Sequence, residues 1–124
     1  MSTKPTKVLL ADDEEDIKTI LRMFLESQGY SVVTAFDGLD ALSVARAEKP
    51  DIILLDVMMP VIDGFEVARQ LKAGDDTAGI PIIMLSAASH AAALEQGAAA
   101  GAAEYIVKPF EPHTVAEAIK RALA

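Results

Sequence analysis

Residues 52–60 read Ile52-Ile53-Leu54-Leu55-Asp56-Val57-Met58-Met59-Pro60, or IILLDVMMP. Four large aliphatic side chains run without a break into a single carboxylate, Asp56. Unbroken rather than alternating apolarity marks a strand buried on both faces, and such strands belong to parallel sheets covered by helices. A charge beside a core is costly unless something pairs with it. Asp56 is therefore either a solvated strand end or a carboxylate with a cation and a function.

Outward from this stretch, short apolar runs alternate with amphipathic segments. The pattern predicts strands at 7–11, 30–36, 51–56, 80–86 and 104–107. It predicts helices at 14–28, 37–48, 65–73, 89–100 and 112–123. In the first helix Ile17, Ile20, Leu21, Phe24 and Leu25 recur at spacings of three and four, as one buried face requires. In the last, Val115, Ala118, Ile119, Ala122 and Leu123 do the same. Gly29 closes the first helix and Pro50 stops the second. Strict β-α alternation with right-handed crossovers gives a doubly wound, five-stranded parallel sheet with five helices.

The totals agree. The chain has 124 residues, which suits one domain over 1–124, with residues 1–5 read as a flexible tail. It contains no cysteine, which removes disulfides, thiolate metal sites and a cysteine nucleophile. The formal charge of −8 disfavours direct contact with a phosphate backbone and suits a cation or a basic protein partner. No secretory h-region follows the first residues, and the apolar runs are too short to span a bilayer. A cytoplasmic protein without membrane contact is expected.

In a doubly wound sheet, ligands sit beyond the carboxyl ends of the strands. Those ends carry Asp12 and Asp13, Asp56, Ser86 and Lys108. Three carboxylates converging on one rim repel, and at least one pKa rises unless a cation is present. Magnesium takes one or two protein carboxylates and completes its shell with waters and phosphate oxygens. A partial magnesium site here implies a phosphorylated substrate. Asp56 is then the nucleophile, forming an acyl phosphate, with Lys108 and Ser86 each taking a phosphoryl oxygen.

With these residues in place the chain resembles the receiver domain of two-component response regulators, the CheY-like form of the flavodoxin-like fold, which implies the strand order 2-1-3-4-5. The resemblance covers essentially the whole chain. It rests on LLADDEED (Asp12, Asp13), LLDVMMPVIDG (Asp56, Pro60, Gly64), MLSA (Ser86), GAAEY (Tyr105) and KPF (Lys108, Pro109). It implies Asp56 as phosphoacceptor and Lys108 as phosphate-binding lysine, with a cis bond to Pro109. It implies a Mg2+ (or Mn2+) site of Asp13 directly, Asp12 through water, Asp56 and the Met58 carbonyl. It implies a phosphohistidine donor on a sensor histidine kinase or phosphotransfer protein. The output is a change on the face of the fourth helix, fifth strand and fifth helix, read by a downstream protein. In that change Ser86 moves toward the phosphoryl group and Tyr105 rotates inward. The chain is then a switch, catalysing only its own phosphorylation and slow dephosphorylation.

Three rival readings fit the residues less well. A receiver that binds partners without phosphate would not need the intact Asp56, Ser86 and Lys108 set. An aspartate-nucleophile phosphatase needs an acid two residues after the nucleophile, where Met58 stands; a flavin carrier wants a hydroxyl-rich first loop, and this one is acidic. Met58 and Ala88, two beyond Asp56 and Ser86, have no group to orient a water, so a long-lived acyl phosphate is expected.

The remaining residues have plainer readings. Glu14, Glu15 and Asp16 read as acidic residues favoured by the helix dipole, and Asp13 as a possible cap. His90 and His113 read as surface helix residues, and one of Met58 and Met59 as packed under the loop. In the alanine-rich fourth helix Leu94 is the only large apolar side chain and Gly97 is a cost. That helix is expected to dock weakly and pair poorly, so a monomer is expected. Whether the chain acts alone or is part of a longer protein is open.

Overall fold

The computed structural model describes residues 4–124, so the first three residues of the predicted tail lie outside it. Ten elements follow one another: β1 (Lys7–Ala11), α1 (Glu15–Ser27), β2 (Ser31–Ala35), α2 (Gly38–Glu48) and β3 (Ile52–Asp56), then α3 (Gly64–Ala73), β4 (Ile82–Ser86), α4 (Ala91–Ala99), β5 (Glu104–Val107) and α5 (Pro112–Leu123). The strands form one parallel sheet in the order β2-β1-β3-β4-β5.

The strand pleat divides the core in two. Leu9, Ala11, Ile53, Leu55 and Met84 point to the side covered by α2 and α3, against Leu42, Val67 and Leu71. Val8, Leu10, Leu54, Ile83 and Leu85 point to the side covered by α1 and α5, against Leu21, Leu25, Val115 and Ile119. Every residue of β3 and β4 is buried, which is why their sequences are continuously apolar. Each fully buried Leu or Ile contributes about 1.5–3 kcal/mol, so both layers are needed to offset chain entropy.

The predicted boundaries hold to within one or two residues, with physical reasons for the differences. Ile80 and Pro81 precede β4 rather than start it; Pro81 has no N–H, but its carbonyl accepts from Ile53 N–H at 3.0 Å. Ile20 is 60 % exposed rather than on the buried face of α1, and the alkyl chain of Lys18 is buried instead, its ammonium 2.9 Å from Glu15. In α5, Leu123 is exposed and Ala116 is buried. His90 stands before α4 as its cap, with Nδ1 accepting from Ala93 N–H at 3.1 Å.

Helix α4 docks through small side chains. Ala93, Gly97 and Ala100 are buried, while Leu94 is exposed. Gly97 is required by packing, since a Cβ there would meet Tyr105 Cδ2 at 2.9 Å. Little apolar area is buried by alanine and glycine, so α4 opens more easily than α1. Amide exchange in α4 is expected to be at least about tenfold faster than in α1. Equal protection in a mass-spectrometric or NMR exchange experiment would count against weak docking.

Candidate functional site

The strands' carboxyl ends form an acidic rim. Asp12 leaves the end of β1, where its N–H reaches Ala35 O at 3.4 Å. Its side chain is fully buried and held on both oxygens. Oδ1 accepts from Glu14 N–H at 2.9 Å, and Oδ2 accepts from Lys108 Nζ at 2.9 Å. The first bond replaces the cap expected from Asp13: the residue preceding α1 is Glu14, without a side-chain cap, and Asp13 is exposed to solvent.

Asp56 ends β3 and is 2 % exposed. Its Oδ1 accepts from Met58 N–H at 3.2 Å, and its Oδ2 is 3.5 Å from Lys108 Nζ. The loop that follows is anchored by alternate residues. Val57 and Met59 are buried, while Met58 and Val61 are exposed. Gly64 N–H closes the loop onto Val57 O at 2.8 Å. A Cβ on Gly64 would collide with the Asp56 carbonyl, so only glycine lets α3 start this close to Asp56. Asp63 caps that helix, accepting from Glu66 N–H at 2.9 Å.

Lys108 follows β5 and binds the rim together. Its N–H donates to Ser86 O at 2.7 Å, and its bond to Pro109 is cis, as expected. Its ammonium is shared by Asp12, Asp56 and Glu14, the last at 3.1 Å. Burial alone would lower the Lys108 pKa. The hydrogen bonds to Asp12 and Glu14, with the charges of Asp56 and Asp12, raise it overall. Lys108 is therefore a fixed cation at any physiological pH.

One cation does not neutralise this rim. Burial and the Asp12 charge push Asp56 up to about 7, against the opposing pull of Lys108 and the Met58 N–H, with Asp13 adding to the rise. The expected repulsion is thus present and concentrated on the buried carboxylate. Oxygens of Asp12, Asp13, Glu14 and Asp56 all lie within 4.8 Å of one another. An all-oxygen, carboxylate-rich set of this kind fits a hard divalent cation. Glu14 is the residue that reading the sequence missed: the dipole explanation suffices for Glu15 and Asp16, but Glu14 reaches Lys108, a contact 94 positions away in the chain.

Ser86, fully buried, and Tyr105, half-buried, meet through the backbone of Ala88. Ala88 N–H donates to Ser86 Oγ at 3.1 Å, and the Tyr105 hydroxyl donates to Ala88 O at 2.7 Å. The Tyr105 ring packs against the α2–α3 layer of the core and lies over Gly97. Ser86 and Tyr105 are thus joined through the two backbone groups of one residue, Ala88.

Residues 8–120 match the family model described as the response regulator receiver domain. Over 117 residues the chain is 45 % identical to the alkaline phosphatase synthesis transcriptional regulatory protein PhoP of Bacillus subtilis, covering 94 % of this chain and 48 % of that protein. It is 44 % identical over 121 residues to the transcriptional regulatory protein ResD of the same organism, covering 98 % of this chain and 49 % of ResD. The chain thus spans about half the length of these relatives. Among solved structures it is similar to the chemotaxis response regulator CheY4 of Vibrio cholerae, with a TM-score of 0.91, 36 % identity, and coverage of 96 % and 99 % of the two chains.

Proposed function

This chain belongs to the family of response regulator receiver domains of two-component signalling, and on that premise we propose that Asp56 accepts a phosphoryl group from a phosphohistidine. The observation that carries this reading is the shared ammonium of Lys108, within 3.5 Å of both Asp12 and Asp56 in a cluster of four carboxylates. Burial and the Asp12 charge push Asp56 up to about 7, and carboxylates perturbed in this way cluster at functional sites.

Asp12, Asp13, Asp56 and the Met58 carbonyl would hold Mg2+ or Mn2+, which when bound supplies positive charge against the phosphoryl oxygens. An Asp56 carboxylate oxygen attacks phosphorus; the N–P electron pair returns to the imidazole of the donor, and an acyl phosphate forms. Lys108 leaves its carboxylate partners for one phosphoryl oxygen. The Ser86 hydroxyl donates to another, which loosens its hold on Ala88 N–H. Because Ala88 also holds the Tyr105 hydroxyl, that change passes to the face of α4, β5 and α5. Neither Met58 nor Ala88 presents a group to orient a water, so the acyl phosphate is long-lived.

The donor is a sensor histidine kinase or a phosphotransfer protein. Ile17, Ile20, Phe110 and Pro112 line an apolar hollow, and Ile17 and Phe110 also line the cleft that holds Lys108, which suits a protein donor. The output partner is a protein reading the α4–β5–α5 face. The charge of −8 weighs against direct nucleic-acid contact by this domain. Among the described residues no helix is long and apolar enough to cross a membrane; we place the domain in the cytoplasm, as a monomer and a switch rather than an enzyme with its own substrate turnover.

Lys108→Met tests this reading. Labelling by acetyl phosphate with magnesium, followed by intact mass, is expected to slow by on the order of 10²-fold, as for removal of one preorganised charge from phosphoryl transfer. An unchanged rate would remove Lys108 from the mechanism. The phosphoryl lifetime is read from the same samples as mass is lost.

A further inference from the structure

Glu14 stands at the mouth of the site, held by Lys108 and open to solvent. Its carboxylate accepts from Lys108 Nζ at 3.1 Å, yet its side chain is 58 % exposed. With Ile17, Ala87, Lys108, Pro109 and Phe110 it lines a cleft of about 390 Å³. Four of these six residues are apolar. The cleft thus has room and apolar walls for an imidazole-sized ring, with one carboxylate on its lining and with Lys108 leading inward to Asp56.

We propose that Glu14 is a catalytic residue for transfer from phosphohistidine, its carboxylate accepting a hydrogen bond from the imidazole N–H of the donor on the nitrogen not bonded to phosphorus. This deepens the phosphoacceptor reading and rests on it. An N-phosphorylated imidazole leaves readily only when its other nitrogen is protonated. The O–P bond to Asp56 forms, the N–P bond breaks, and the electron pair stays on nitrogen. The proton does not move, and a neutral imidazole departs. The ring is cationic before transfer and neutral after it. At pH 8 an imidazole with an ordinary pKa of ~6.5 is mostly unprotonated. A neighbouring carboxylate enlarges the reactive, protonated fraction. When Lys108 exchanges Glu14 for a phosphoryl oxygen, the Glu14 carboxylate is freed to do this.

The same charge has the opposite effect on acetyl phosphate, whose leaving acetate gains negative charge beside Glu14. The test is therefore a ratio. Initial rates of Asp56 phosphorylation are measured at pH 8 and saturating magnesium, for wild type and Glu14→Gln, with N-phosphoimidazole and with acetyl phosphate as donors. The phosphoimidazole-to-acetyl-phosphate rate ratio is expected to fall on the order of tenfold in the variant, the size of one charge-assisted hydrogen bond. Rates that change by a common factor, or not at all, would overturn the proposal and leave Glu14 as a structural or metal-binding group. Wild type labelled by neither donor would overturn the underlying reading of Asp56 as well.

Discussion

Asp56→Asn makes the metal-free protein more stable at pH 8, by about 2–4 kcal/mol. The wild-type carboxylate is buried among Asp12 and Asp13 and titrates at about 7 rather than 3.8. Each pKa unit is worth ~1.4 kcal/mol, so a fully ionised Asp56 costs the folded state up to about 4 kcal/mol. The folded value lies above the unfolded one. The contribution of this group is therefore whole below pH about 4 and is lost as pH rises through about 7. Urea unfolding at intervals from pH 5 to 8 should show wild-type stability falling across that window, with the fall largely absent in Asp56→Asn. Asparagine keeps the shape and can still accept from the Met58 N–H, so no cavity offsets the gain. Magnesium should narrow the difference, since a bound cation relieves the repulsion that the substitution removes. A variant less stable than wild type at pH 8 would mean that the Lys108 pairing outweighs the burial and repulsion.

Gly64→Ala is expected to cost about 3 kcal/mol and to slow phosphorylation of Asp56 by more than about tenfold. A Cβ at this position would meet the Asp56 carbonyl, with Asp56 C and Val57 Cα each at 2.9 Å. All three are backbone atoms at the end of a fully buried strand, so no flexible side chain can give way. The chain must shift either β3 or the start of α3. Either shift loosens the bond from Gly64 N–H to Val57 O and moves Asp56 away from Lys108. Denaturant unfolding gives the first quantity and acetyl phosphate labelling the second. Loss of stability with an unchanged labelling rate would mean that the loop absorbs the strain without moving Asp56.

The layers of the fold and most of its site could be read from the residues, because both follow from one feature. Strands buried on both faces must be continuously apolar, so a polar residue stands out where each strand ends. Asp12, Asp56, Ser86 and Lys108 stood out in that way, and the parallel sheet brings their strand ends to one rim. Glu14 could not be read similarly. It lies in an acidic run at a helix start, where the dipole explains any carboxylate, and only the return of the chain 94 residues later brings Lys108 to it. The packing role of Gly97 could not be read for the same reason: its cost to the helix is local, but the Tyr105 ring lying over it comes from another element. Ile20 and Lys18 exchanged places because a period of 3.6 fixes a face to within a residue, not which long side chain lies along it.

The most direct test is intact mass after incubation with acetyl phosphate, with and without magnesium, for wild type and Asp56→Asn. A gain of one phosphoryl group in wild type, dependent on magnesium and absent from the variant, is the predicted result. No gain by the wild type, or an equal gain by Asp56→Asn, would contradict Asp56 as the acceptor. The first of these would leave a receiver that binds its partners without phosphate.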